Sequence, residues 1–322
     1  MRIPFNIPPR EGREFDVVGF GLNSLDLLAV VGEFPKPDSN QQLQRFARLP
    51  GGQAATAMVT CRRLGWKSRY VGRFGADEHG RMCRESLERE DIDLSAAVTI
   101  EGAFNQFAVI LVDARTGQRT VMWDRDPALR MTAADVRSEA IESGRILLVD
   151  CHETAAATRA AQIARARGMP TVIDVEKVRP AIRDLLEQID VIIASQSFPS
   201  ELTGYTDTGR ALQALAEEFP RAPIVCVTLG VDGSLARCGG REFRTPAFAI
   251  PCVDSTGAGD VFRGGFIAAL LRGGSGMPLE DALQYANAVA ALKCRALGAR
   301  AGIPRAEEVD ELLGSGLRGL SS

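Results

Sequence analysis

Between Arg145 and Thr228 the chain alternates short apolar runs with helix-length segments. Ile146 to Asp150 is followed by Ala155 to Arg167, and Thr171 to Asp174, Val191 to Ala194 and Ile224 to Thr228 continue the rhythm. Continuous apolar runs of four or five residues read as strands buried on both faces. Strands in alternation with helices form a parallel sheet, because parallel neighbours need a crossover between them. The expectation is an α/β, Rossmann-like sheet with helices on both faces. Ligands of such sheets sit beyond the carboxyl ends of the strands. His152, Glu153, Asp174 and Lys177 fall there, as cleft residues or as ordinary loop and cap residues.

The densest local signal lies further on, at Asp254-Ser255-Thr256-Gly257-Ala258-Gly259-Asp260. Ala249 to Val253 reads as a short apolar strand before it. Phe262, Phe266, Ile267, Leu270 and Leu271 recur at helical spacing after it, so a helix should start within Gly257 to Asp260. Small residues at a helix start leave N–H donors uncovered, and those donors with the helix dipole suit an anion such as a phosphoryl group. Asp260 beside such a cradle would repel the anion, yet it could take a proton from an attacking hydroxyl. Locally, the alternative is that Asp260 only complements the helix dipole, and both stay open.

Length allows one large core, or one core with a small appendage. With 38 Lys and Arg against 41 Asp and Glu, the net charge is −3 and no basic block stands out, so neither a nucleic acid nor a membrane surface is expected as a partner. The seven cysteines are scattered without a C-x-x-C, which reads as reduced thiols of a cytoplasmic protein. Only two histidines are present, against a His-ligated metal. Residues 1–13 have no apolar core of the secretion-signal type, and no window is long and apolar enough to span a bilayer.

The Asp254 to Asp260 run, continuing into Val261-Phe262-Arg263-Gly264-Gly265-Phe266, resembles the C-terminal signature of the ribokinase (PfkB) family of carbohydrate and nucleoside kinases. Pro50-Gly51-Gly52-Gln53-Ala54-Ala55-Thr56-Ala57, with Arg63-Leu64-Gly65 and Val71 to Gly80, resembles its N-terminal signature. Val227 to Gly233 and Tyr285-Ala286-Asn287-Ala288 match further family elements in order, so that the similarity covers about Asp16 to Pro304.

The resemblance implies a ribokinase-like parallel sheet with a small β-sheet lid. The main domain would comprise 15–24, 50–101 and 126–313, and the lid 25–49 and 102–125. The lid would hold strands at Leu27 to Val31 and Gln41 to Leu49, with a hairpin from Asn105 to Trp123 around Ala114 to Gln118. It implies an ATP-dependent sugar kinase in which Asp260 is the base and Gly257, Ala258 and Gly259 hold the transferring phosphoryl group. Asp26, Gly51, Gly52, Gln53 and Thr56 would meet the sugar; Thr228, Gly230, Gly233 and Asn287 would meet ATP. Mg²⁺ would travel with the nucleotide, K⁺ is a further cation the family admits near the Asp254 and Arg295–Gly302 loops, and the lid suggests a homodimer. No Walker-type G-x-x-x-x-G-K-[ST] run is present, so this is not a P-loop enzyme. A nucleoside kinase is the rival within enzymes, and a non-catalytic sugar or nucleotide sensor the rival outside them.

Two departures stand out. The family's Asn-x-x-Glu after the strand ending at Ala194 is here Ser195-Gln196-Ser197-Phe198, which leaves the protein ligands of the metal unassigned. Thr56 stands where many sugar kinases carry Asn. That residue, with 290–294 and 298–304, looks closest to the branch containing sulfofructose kinases and points to a ketose, one with an anionic end included. Arg263, three residues after Asp260 on the same helix face, is a candidate for such an end or an ordinary structural arginine.

Overall fold

The computed structural model of the chain describes residues 1–115 and 119–315. After an irregular lead-in come β1 (Val17–Phe20), β2 (Ser24–Val31), β3 (Arg45–Gly51) and α1 (Gln53–Arg63). Then follow β4 (Ser68–Val71), β5 (Arg73–Gly75), α2 (Glu78–Glu88), β6 (Val98–Ile100), β7 (Phe107–Asp113) and β8 (Arg119–Asp124). The expected β7–β8 loop, 114–118, lies in part outside the described residues. The alternating half runs α3 (Ser138–Glu142), β9 (Ile146–Asp150), α4 (Thr154–Ala166), β10 (Thr171–Val175), α5 (Ile182–Leu186) and β11 (Val191–Ala194). It continues with α6 (Phe198–Thr203), α7 (Thr208–Glu218), β12 (Ile224–Thr228) and the hairpin β13 (Ser234–Cys238) and β14 (Arg241–Thr245). The helices α8 (Ala258–Gly273), α9 (Leu279–Lys293) and α10 (Ala306–Gly314) close it.

The main sheet has the order β14-β13-β12-β11-β10-β9-β1-β4. Its pairs from β12 through to β4 are parallel, and β13 and β14 add an antiparallel edge. Side chains alternate across a strand, and here both faces are apolar. Val17, Ile146, Leu148, Val172 and Ile193 pack towards α1, α8 and α9. Val18, Leu147, Val149, Ile173 and Ile192 pack into the opposite layer with α4, α5 and α7. Each such side chain contributes roughly 1.5–3 kcal/mol on burial, which is why the unbroken apolar runs must lie at the centre.

A second sheet, β3-β2-β7-β8, stands apart from the first. Its registers put Asp26, Ala108 and Trp123 in one row and Leu28, Ile110 and Val121 in the next, all on one face. One expectation fails. Ala249 to Val253 forms no strand: Pro251 interrupts it, Val253 is exposed, and the N–H groups of Val253 and Asp254 donate to the Cys294 carbonyl (2.8 and 3.2 Å). The apolar run is a linker tied to the end of α9.

Candidate active site

Two helix starts face one cavity. At the first, Gly52 is the N-cap of α1 with φ 93°, a left-handed conformation where a side chain would be strained, and the bare backbone closes against Leu22 and Asn23. At the second, Gly257 is the N-cap of α8 with φ 74°, and a Cβ there would lie 2.8 Å from that of Ala299. Neither helix has a side-chain cap, whereas Asp77 caps α2 and Asp207 caps α7. The Ala258 N–H closes a turn on the Ser255 carbonyl (3.1 Å). The N–H groups of Gly257 and Gly259 have no acceptor among the described hydrogen bonds.

The cavity between them has a volume of about 510 Å³. Asp26, Gln53 and Gln106 line its second-sheet side, and Gly257, Gly259 and Asp260 the other. A larger groove of about 920 Å³ runs along α7 and β13 and contains none of the Gly257 loop. Gln53 and Gln106 are buried, and each has a side-chain carbonyl oxygen without a hydrogen-bond partner. Buried amides are normally satisfied, and these two oxygens stay without a partner in the cavity wall.

Burial pushes the Asp26 carboxyl up to about 7, with the Arg300 guanidinium opposing and the Asp260 charge adding to the rise. Burial likewise pushes Asp260 up to about 6, Arg263 opposing it and Glu176 adding to it. Both values sit where a modest change of surroundings decides the charge, as acid–base chemistry near neutrality requires. Asp174, deep in the same cleft, is raised well above its ordinary value by burial, against the pull of Arg263. Burial and Arg179 hold His152 below its ordinary value, while Asp150 opposes them; Arg179 Nη2 lies 3.3 Å from its Nδ1.

The other residues singled out from the sequence separate into two groups. Thr228 and Lys177 line the cavity, while Gly230 and Gly233 form the turn after β12 with φ 60° and 84°. Glu153 is paired with Arg125 (2.5 Å), and the Asn287 amide nitrogen donates to Ser234 Oγ (3.1 Å) and the Thr245 carbonyl (3.2 Å). Arg263 is buried at the cleft floor, its Nη2 3.1 Å from both Asp174 Oδ1 and the Ile193 carbonyl. Thr56 is buried behind the cavity wall, where its Oγ1 accepts from Arg300 Nε (3.3 Å).

Arg300 was not a candidate from sequence. It also donates to Ser86 Oγ (2.7 Å) and to the Gly51 carbonyl (2.5 Å), fixing the α1 start to the C-terminal loop. Arg119 of the second sheet reaches the Gly257 loop at Ser255 Oγ (3.2 Å) and Thr256 Oγ1 (3.4 Å). Only their long-range partners reveal either role.

Phe198, where the family motif has Glu, is buried in the core, and no cluster of acidic, His or Cys side chains suited to a metal occurs among the described residues. Among the described residues no helix is long and apolar enough to cross a membrane.

A ribokinase-like α/β sheet with an uncapped helix start and a half-buried carboxylate at its cleft defines a small-molecule kinase. Residues 15–306 match the model of the pfkB family of carbohydrate kinases, and the chain belongs to that family as an ATP-dependent sugar kinase. It is 29% identical to a fructokinase-1 of Oryza sativa subsp. japonica over 94% of this chain and 99% of that protein. It is 25% identical to a 5-dehydro-2-deoxygluconokinase of Halalkalibacterium halodurans over 94% of this chain and 95% of the relative. Among solved structures, Arabidopsis thaliana ribokinase complexed with ribose and ATP superposes with a TM-score of 0.80 at 24% identity, covering 93% of this chain and 98% of that one.

Proposed function

We propose that the chain transfers the terminal phosphoryl group of ATP to a hydroxyl of a ketose held between the second sheet and the start of α1. The observation that carries this reading is the one cavity bounded by unpartnered amides and Asp26 on one side and by Asp260 with the bare α8 start on the other. Asp26, Gln53 and Gln106 accept hydroxyl protons of the sugar and orient it. Asp260 accepts the proton of the attacking hydroxyl. The Gly257 and Gly259 N–H groups, at the positive end of α8, hold the charge that gathers on the phosphoryl oxygens. ATP supplies the phosphoryl group, and Mg²⁺ bound to its phosphates shields their charge; Thr228 and the Gly230–Gly233 turn line its approach. The second sheet acts as a lid, and Arg119 ties it to the Gly257 loop, excluding water.

Phe46 and Met122 are exposed on the lid face opposite Asp26, which supports a second copy of the chain packing there; sedimentation of the enzyme and of Phe46→Glu tests it. Trp123, exposed on the cavity wall, is what favours a nucleoside acceptor, since an indole can stack on a base. ADP release from ATP, measured with ketoses, aldoses, aldonates, sulfosugars and nucleosides, decides between them. Turnover highest with a ketose is the expected result; turnover with nucleosides alone would reject it.

A further inference from the structure

The family resemblance admits a potassium ion between the Asp254 loop and the loop after α9, and the residues here do not fit one. Lys293, in the last turn of α9, is fully buried, and its ammonium donates to the main-chain carbonyl of Asp254 at 2.8 Å. A carbonyl that would serve an alkali cation as ligand is already held by a cation of the protein. The surroundings are those of a brace. The Asp254 carboxylate accepts from the N–H of Thr256 (2.8 Å) and of Gly298 (2.7 Å). The N–H groups of Val253 and Asp254 run back to the Cys294 carbonyl, and Gly257 closes against Ala299. The Thr256 contact folds the strip on itself, and the others join the strip leading into the α8 start to residues 293–299.

We propose that Lys293 is a positioning residue: its ammonium is a built-in monovalent cation that fixes the Asp254 carbonyl, and through it the Gly257–Gly259 donors, so that phosphoryl transfer needs no potassium. Burial lowers Lys293 from its ordinary value, which lies near 10.4, and the Asp254 and Asp260 carboxylates oppose the loss of its proton. A cation fixed on a helix needs no ion uptake before each turnover, and the geometry of the cradle is set on folding.

The kinetic arm of the test rests on the phosphotransfer reading above; a thermal arm does not, so the two failures are distinguishable. In the parental enzyme, replacing KCl by tetramethylammonium chloride at constant ionic strength should leave the melting temperature unchanged and alter kcat by less than about twofold. Lys293→Met, which keeps length and removes charge, should lower kcat by about tenfold to a hundredfold. Lys293→Ala, which opens space, should regain activity with K⁺ or NH₄⁺ and not with tetramethylammonium. A potassium-specific rise in the parental melting temperature or rate would overturn the proposal without any variant. So would a Lys293→Met enzyme with parental kcat, or a folded Lys293→Ala enzyme that no small cation rescues, since the lysine would then serve packing alone.

Discussion

The starts of α1 and α8 are built alike and differ in what they present. Both begin at a left-handed glycine, both lack a side-chain cap, and both are braced by a basic residue of the same C-terminal segment: Arg300 on the Gly51 carbonyl, Lys293 on that of Asp254. The first turn of α1 contains no acid and offers the amide of Gln53, whereas the first turn of α8 contains Asp260. A neutral acceptor sugar needs hydroxyl partners, so amides and Asp26 serve at α1. A reacting phosphoryl group needs donors with a base beside them, and α8 carries both. One brace is a planar arginine with several acceptors, the other a compact ammonium on one carbonyl.

The largest effect should fall at α8. Asp260→Asn keeps shape and removes the proton acceptor; kcat should drop by roughly 10²–10⁴, while calorimetric affinities for sugar and ATP stay close to parental. A near-parental kcat would remove the distinction between the two helix starts. The same substitution should raise the melting temperature at pH 8. Asp260 titrates higher when folded than its ordinary 3.8, so between about pH 4 and 6 the folded chain holds a proton the unfolded chain has released. Its contribution to stability therefore falls as pH rises through that window. A variant less stable than the parent at pH 8 would contradict the raised carboxyl.

At α1 the expected losses are smaller and belong to binding. Asp26→Asn should reduce kcat/KM for the sugar by about ten- to a hundredfold, the range for a hydrogen bond to a charged group, with KM for ATP little changed. An equal loss in both KM values would place Asp26 outside the acceptor site. Smallest of all is Thr56→Asn. Because Thr56 meets Arg300, its effect on the sugar is indirect, about 0.5–1.5 kcal/mol, seen as a shift in the ranking of kcat/KM among ketoses and aldoses. A change confined to ATP would detach Thr56 from the acceptor side altogether.

The α/β architecture was legible because its signals are local. Ile146–Asp150 and Val191–Ala194 form strands with the bounds read from their apolar runs, and α8 starts within the expected Gly257 to Asp260. The Ala249 to Val253 run misled because apolar character alone does not make a strand when Pro251 interrupts the ladder and the backbone finds its acceptor at Cys294. β13 and β14 join the main sheet as an antiparallel hairpin turning at Gly239 and Gly240, a placement that depends on pairing with β12 and not on a local signal. Residues that act through distant partners were illegible. Arg300 meets Gly51 across 249 positions, and Lys293 meets Asp254 across 39; no spacing rule connects them. Gln106 stood out only once its unpartnered oxygen was seen in the cavity wall.

The pH dependence of kcat set beside that of kcat/KM tests the division of labour most directly. The kcat of the saturated enzyme should rise with a single ionisation, that of Asp260, which burial raises to about 6 in the free chain, and level off above it. The kcat/KM for the sugar reports the free enzyme and should rise more steeply, because Asp26, near 7 before the sugar binds, must also lose its proton. Two profiles of that shape are the predicted result. A kcat that stays flat from pH 5 to 8, with all the pH dependence in KM, would mean that no carboxylate at the α8 start takes the proton.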